Sequence, residues 1–249
     1  MSDLVEGEVC GVDGCTDAAP APAAAIPQGP ALELSIVSDA ICPWCYIGKR
    51  RLEKVLSTLG KDVNIRIVWR PFELNPDMPK EGIERHIYRA RKFGSLERSN
   101  QMDQQVAQAA AGEGLTFRYD LIRVTPNTFD AHRLMWAATG PLQDALMEEI
   151  FRAYFCEGRD IGNRDVLAEL APAAGIDSTR ARAFLAGDEG KNEVARDLTI
   201  ARQAGISGVP SFIAGGRLLF SGAQPPDVIA AVLRQIMAPA PKVAFGAAL

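Results

Sequence analysis

Histidine is scarce in this chain: His86 and His132 are the only two among 249 residues. They fall in separate helical segments with no ligand spacing between them, so imidazole offers no basis for a metal site. An excess of basic charge is also missing. The net charge is -4 and the pI is near 5.4, which removes the electrostatic reason to expect nucleic acid or an anionic membrane as partner. No apolar run approaches the roughly 18 residues that a membrane-spanning helix needs. The first 30 residues hold no lysine or arginine, but five acids: Asp3, Glu6, Glu8, Asp13 and Asp17. They also lack the apolar core of about 7–15 residues that an export signal requires, so a cytoplasmic location is expected. Cysteine is limited to five, and in a reducing compartment they would not form a static disulfide framework.

What remains is an ordinary globular composition, 47% hydrophobic and 23% charged, of a length suited to one large domain or a domain with an insertion. Its most informative stretch is "SIVSDAICPWCYIGKRRLEKVL", residues 35–56, in which Pro43 and Trp44 separate Cys42 from Cys45. Such a pair can hold metal, staple the chain or exchange disulfides.

Periodicity places the pair. Residues 32–38, "LELSIVS", alternate as a strand does, and from Pro43 to Leu59 the apolar residues recur at helical spacing up to Gly60. "VNIRIVWRPFEL" reads as a second strand closed by "NPDMP", which completes a strand–helix–strand unit with parallel strands. From Glu81 to about Gln203 the pattern is helical, with segments near 82–94, 96–112, 127–139, 141–156, 163–174, 178–186 and 189–204. "VPSFIAG" and "RLLFSG" then form a hairpin, and "PPDVIAAVLRQIM" a terminal helix. The expected class is α/β: an open sheet interrupted by a large all-helical insertion.

A zinc site at Cys42 and Cys45 lacks its other ligands, because the second spaced pair, Cys10 and Cys15, lies in the tail. The strand-to-helix junction instead favours redox work. Pro43 suits the first helical turn, which presents Cys42 to free N–H groups and the positive end of the helix dipole. Cys45, one turn in, can attack a mixed disulfide formed on Cys42. Far downstream, "GISGVPSFIAGG" sets Val209–Pro210 immediately before a strand, a placement that needs a reason.

With these motifs in order, the chain resembles the thioredoxin superfamily, and within it the DsbA branch. "SDAICPWCYIGKRRLE", "NTFDAHRLMWAA", "FCEGRDIGNRDVL", "GISGVPSFI" and "FSGAQP" are similar to cytoplasmic FrnE-like proteins, relatives of the 2-hydroxychromene-2-carboxylate isomerases. The resemblance implies a thioredoxin fold with a DsbA-like helical insertion. Residues 32–78 and 188–238 would form the thioredoxin-like domain and 79–187 the insertion. Residues 1–31 would be a flexible tail, acidic and then Ala/Pro-rich, and 239–249 a C-terminal tail. It further implies that Cys42 is the nucleophile, Cys45 the buried resolving thiol, and Val209–Pro210 a cis peptide facing them. The exposed backbone there would pair with a peptide substrate or glutathione. Asn127, Asp130 and His132 would face the same cleft.

The expected function is a thiol–disulfide oxidoreductase acting on disulfide-containing proteins or peptides. It needs no metal and no cofactor, although glutathione is a candidate reductant or adduct. One alternative is a glutathione-dependent isomerase or transferase, although the isomerases and their transferase relatives carry serine where this chain has Cys42. The other is a redox-regulated peptide-binding chaperone. DsbA carries a histidine between its cysteines that lowers the nucleophile's pKa; Pro43 and Trp44 cannot, so a less oxidising couple is expected.

Other residues have more local readings. Trp44 is expected as an exposed apolar lip for substrate, and Asp39 as a loop acid or a tuner of proton transfer. His132 lies among Phe129, Leu134, Met135 and Trp136, where a buried, hydrogen-bonded histidine is the plainer reading. Lys49, Arg50 and Arg51 read as a solvated helix face, and the isolated Cys156 as buried and inert. Cys10 and Cys15 are outside the resemblance. They are either an incidental reduced pair or an accessory redox pair, tethered closely enough to exchange with Cys42.

Overall fold

The computed structural model describes residues 32–59 and 63–238. The expectations for the two tails, for Gly60 and for Cys10 and Cys15 lie outside those residues. The sheet has four strands: β1 (Leu32–Ser38), β2 (Ile65–Pro71), β5 (Ser211–Ala214) and β6 (Arg217–Ser221), in the order β2-β1-β5-β6. β1 runs parallel to β2 from Leu32 opposite Ile65 to Ser38 opposite Pro71. On its other side it pairs antiparallel with β5, Leu34 opposite Ala214 and Val37 opposite Ser211. Alternation places Leu34 and Ile36 in the core, and the fully buried Ser38 ends the strand under the dithiol loop. Pro71 closes an edge strand, where its missing N–H costs no ladder bond.

α1 (Pro43–Leu59) joins β1 to β2, and α9 (Pro226–Met237) packs beside it. Between β2 and β5 come α2 (Arg85–Phe93), α3 (Leu96–Ala111), α4 (Phe129–Ala137), α5 (Pro141–Phe155), α6 (Arg164–Leu170), α7 (Ser178–Ala186) and α8 (Lys191–Gln203). The insertion is not purely helical. β3 (Ile83–Glu84) and β4 (Val124–Thr125) form an antiparallel pair that delays α2 to Arg85, and a 3₁₀ turn over Ala171–Ala174 shortens α6. Pairs of two residues are too short for any period-2 signal.

One core runs through sheet and insertion. Tyr46, the residue after Cys45, stacks on Phe151 with centroids 5.0 Å apart and on Phe117 at 5.9 Å, and its hydroxyl donates to Glu148 at 2.7 Å. Each ring pair adds about 0.5–1.5 kcal/mol beyond its burial. The dithiol helix is thereby anchored to α5.

The reading of Lys49, Arg50 and Arg51 as a solvated face is corrected. Lys49 is 4% exposed, with Asp144 at 3.2 Å, Glu148 at 3.1 Å and Glu53 also in contact. Arg50 pairs with Glu53 at 2.7 Å and with Glu148, while Arg51 pairs with Glu113 at 2.7 Å and donates to the Ala223 carbonyl. α5 and the end of α3 come down on this face of α1, and their carboxylates make the burial of its cations tolerable.

Candidate active site

The site begins where β1 stops. After Ser38 the chain turns through Asp39–Cys42, closed by the Cys42 N–H donating to the Asp39 carbonyl at 3.0 Å. Pro43 opens α1, and the Cys45 N–H donates to the Cys42 carbonyl at 3.0 Å. Both cysteines are free thiols, 4% and 1% exposed. Trp44 between them projects outward at 40% exposed.

The opposite wall is Val209–Pro210, whose peptide bond is cis. The Cys42 thiol donates to the Val209 carbonyl at 3.6 Å, a long contact within the reach of sulfur. The wall is pinned from behind. The Pro210 carbonyl accepts the Gly222 N–H at 2.7 Å, and the Ser211 hydroxyl reaches the Gly208 carbonyl at 2.8 Å and the Ser221 hydroxyl at 2.9 Å. Pro210 precedes the central strand β5, so that strand loses no donor. Gly48 lets α1 approach: a Cβ there would stand 3.1 Å from Pro210 Cγ and 3.7 Å from Phe212. Sequence reasoning missed Gly48, although a lone glycine inside a helical pattern is itself a sign of close packing.

Burial pushes the Cys45 thiol well above the usual thiol range, and the neighbouring Cys42 adds to this; the Ser38 hydroxyl and the Asp39 backbone oppose it. That hydroxyl is buried, faces Cys45 and has no other partner among the described residues. Cys45 is thus held as a neutral thiol in the resting pair.

Asp39 is fully buried, and its carboxylate accepts the Leu74 N–H at 2.7 Å, tying the dithiol loop to the segment after β2. His132, 3% exposed, places Nε2 2.9 Å from the Phe72 carbonyl and 3.6 Å from Asp39. It therefore stands behind the loop and meets the dithiol only through Asp39. Asn127 and Asp130 do not join it. The Asn127 amide donates to the Met78 carbonyl at 2.7 Å, and its oxygen accepts the Phe129 N–H in the turn that leads into α4. Asp130 binds the buried Arg133 at 2.7 Å and Arg164 at 2.6 Å. Arg133 in turn holds the carbonyls of Phe184, Leu185, Gly187 and Glu189 at the end of α7. Both residues line a separate cavity beside Lys80, so the expectation that they face the dithiol is corrected. Their side chains are already engaged in holding the insertion together. Cys156 is only half-buried, and burial raises its pKa, with Glu148 adding to the rise.

A cleft of about 310 Å³ opens between the dithiol and the insertion. Ile41, Cys42, Trp44 and Val209 line one side; Arg85, Arg89 and Lys92 of α2 line the other. Nothing in the periodicity of α2 marks that face as part of a site.

The comparisons agree with this architecture. The DSBA-like thioredoxin domain is matched over residues 33–234. A solved structure described as a probable DsbA oxidoreductase, SCO1869 from Streptomyces coelicolor, is 35% identical with a TM-score of 0.74, covering 82% of this chain and 89% of its own. The uncharacterized protein YwbO of Bacillus subtilis (strain 168) is 26% identical over 201 residues, 79% of this chain and 93% of that protein. The cytosolic disulfide reductase DsbM from Pseudomonas aeruginosa, solved with GSH, is similar in fold at 23% identity and a TM-score of 0.58, covering 83% of this chain and all of its own. With a match of that extent and a C-x-x-C pair facing a cis-proline loop, the chain belongs to the DSBA-like thioredoxin domain family.

Proposed function

We propose that the protein is a thiol–disulfide oxidoreductase in which Cys42 is the nucleophile and Cys45 the resolving thiol. The observation that carries this is the free Cys42 thiol at the helix start, aimed at the Val209 carbonyl with Cys45 one turn behind it. In the reductive direction the Cys42 thiolate attacks one sulfur of a substrate disulfide, R–S–S–R. A Cys42–S–S–R bond forms and the first R–S⁻ leaves, taking up a proton. Cys45, on losing its proton, attacks Cys42 Sγ, which expels the second R–S⁻ and leaves the Cys42–Cys45 disulfide. Two protein thiols are oxidised and two substrate thiols released, and the reverse sequence oxidises a substrate dithiol.

Val209 and Pro210 would hold the substrate backbone, and Pro43 and Trp44 would give it an apolar lip. Asp39, backed by His132, would fix the loop that carries Cys42. No metal or organic cofactor takes part in these steps. Glutathione is a candidate thiol donor, a reading supported by the fold shared with a reductase solved with GSH. A cytoplasmic setting is proposed on the same likeness to a cytosolic reductase, and no helix among the described residues is long and apolar enough to cross a membrane. The isomerase-type alternative is less well supported, because this chain supplies its own sulfur at Cys42.

Insulin reduction with glutathione or dithiothreitol as electron donor tests the proposal. Turnover should disappear in both Cys42→Ser and Cys45→Ser. Activity that survives Cys42→Ser and depends only on added glutathione would refute it in favour of the isomerase type.

A further inference from the structure

The chain is acidic overall, yet the cleft beside Cys42 is not. Arg85, Arg89 and Lys92 stand at i, i+4 and i+7 on α2, on the face that lines the cleft. Asp103 is the only acid in that lining, and it is shared: Arg85 meets one oxygen at 2.7 Å and Arg89 the other at 2.6 Å. Lys92 has no carboxylate partner among the described residues; it donates to the Asn75 amide oxygen at 3.1 Å and the Tyr88 hydroxyl at 2.6 Å. Three cations against one carboxylate leave two positive charges on the wall.

A second observation is independent of charge. Two groups in the same lining, the Asn75 side-chain N–H₂ and the Tyr119 hydroxyl, are buried and have no hydrogen-bond partner among the described residues. The Asn75 oxygen is already occupied by Tyr88 and Lys92, so what its other end offers is a donor. Unpaired buried donors beside surplus positive charge call for an anionic acceptor. The opening of about 310 Å³ is near the lower end of small-molecule sites, which run from about 300 to 1,000 Å³. It admits half of a small disulfide, while a folded protein would remain at the Trp44 lip.

We propose that Arg85, Arg89 and Lys92, with Asn75, form a carboxylate-binding subsite facing Cys42, which selects small disulfides or thiols that carry carboxylates. The inference rests on the dithiol reading above and names the substrate class for it. The carboxylates of one half lie against α2, the disulfide spans towards Cys42, and the leaving half departs into solvent. The exchange steps are those already given.

Three small disulfides test it by stopped-flow: anionic glutathione disulfide, neutral hydroxyethyl disulfide and cationic cystamine. Lys92 is exposed and outside the core, so Lys92→Glu and Lys92→Gln leave the fold intact. Lys92→Glu should lower the glutathione-to-hydroxyethyl rate ratio about tenfold and raise the cystamine ratio, with Lys92→Gln between the two. Added salt should shrink the differences. Ratios that do not respond to either variant overturn the subsite while the dithiol reading stands. Binding of S-methylglutathione by Cys42→Ser, measured calorimetrically, separates the two further. It should weaken about tenfold when Lys92→Glu is added. No binding overturns the subsite, whereas binding by a protein whose wild type reduces none of the disulfides upholds it and overturns the dithiol reading.

Discussion

Cys42 Sγ lies 3.6 Å from the carbonyl oxygen of Val209, a residue 167 positions further along the chain. The contact depends on the pairing of β1 with β5, which sets Val37 opposite Ser211 and so brings the end of one strand beside the start of the other. A substrate sulfur bonded to Cys42 would sit beside the same carbonyl. Cys45→Ser should therefore accumulate a mixed disulfide on Cys42, visible as a mass increase that dithiothreitol removes. Cys42→Ser should accumulate none. Adduct formation on Cys45 in the Cys42→Ser protein would reverse the assignment, and the 1% exposure of Cys45 argues against it.

Pro43 and Trp44 place neither a charge nor an imidazole between the cysteines. The histidine that DsbA carries at this place is absent, and the reduction potential should fall below about -120 mV. Equilibration against glutathione redox buffers, read by tryptophan fluorescence, measures it. A value at or above that figure refutes the expectation.

The raised pKa of Cys45 has a thermodynamic consequence. A thiol whose folded pKa exceeds its unfolded one keeps its proton longer when folded. Its contribution to stability is whole below the ordinary value of 9.0 and is lost as pH climbs through the folded value. The oxidised protein has no such thiol. The Tm of the reduced form should therefore drop relative to the oxidised form as pH rises above about 9. A constant difference would show that Cys45 titrates normally.

At Gly48, α1 packs closely against the Pro210 wall. Gly48→Val introduces a branched side chain 3.1 Å from Pro210 Cγ and close to Phe212 and Ala223. Overpacking of this kind costs about 1–3 kcal/mol. It should also push Pro210 away from Cys42, so exchange should slow by more than the lost stability explains. Rates measured well below the melting temperature separate the two effects.

The elements nearest the dithiol were legible in the sequence because they are local. Alternation in "LELSIVS", Pro43 at the helix start and helical spacing to Leu59 each involve neighbours in the chain, and the structure has β1 and α1 at those limits. The cis Val209–Pro210 bond came from resemblance, since nothing local distinguishes a cis proline from a trans one. The misplaced residues depend on distant partners. Asp130 has its i+3 partner Arg133 within "NTFDAHRL", but nothing there announces the second one, Arg164. The α2 face became part of the site only because α2 folds over the cleft.

Lys49 illustrates the same limit and supports a last prediction. A lysine beside two arginines in an amphipathic helix reads as solvent-facing, yet here it is enclosed by Asp144, Glu148 and Glu53. Burial opposes its charge, but the three carboxylates prevail and its pKa lies above the usual lysine value. The carboxylates need it in turn: burial disfavours the charge of Glu53, and Lys49 and Arg50 reverse that and hold its pKa below the ordinary range. Removing the ammonium would leave these acids facing one another across α1 and α5 with Arg50 alone to offset them. Loss of one partner from a buried pair costs about 3–5 kcal/mol, and the part-exposure of Glu53 and Asp144 reduces this to about 2–3 kcal/mol. Lys49→Met keeps the apolar stem and isolates the charge. Its urea midpoint should fall well below wild type at pH 7 and recover part of the difference near pH 4.5, where Glu53, no longer held ionised by Lys49, takes up a proton and the repulsion eases. An equal deficit at both pH values would mean that the stem, and not the charge, stabilises the helix that carries the dithiol.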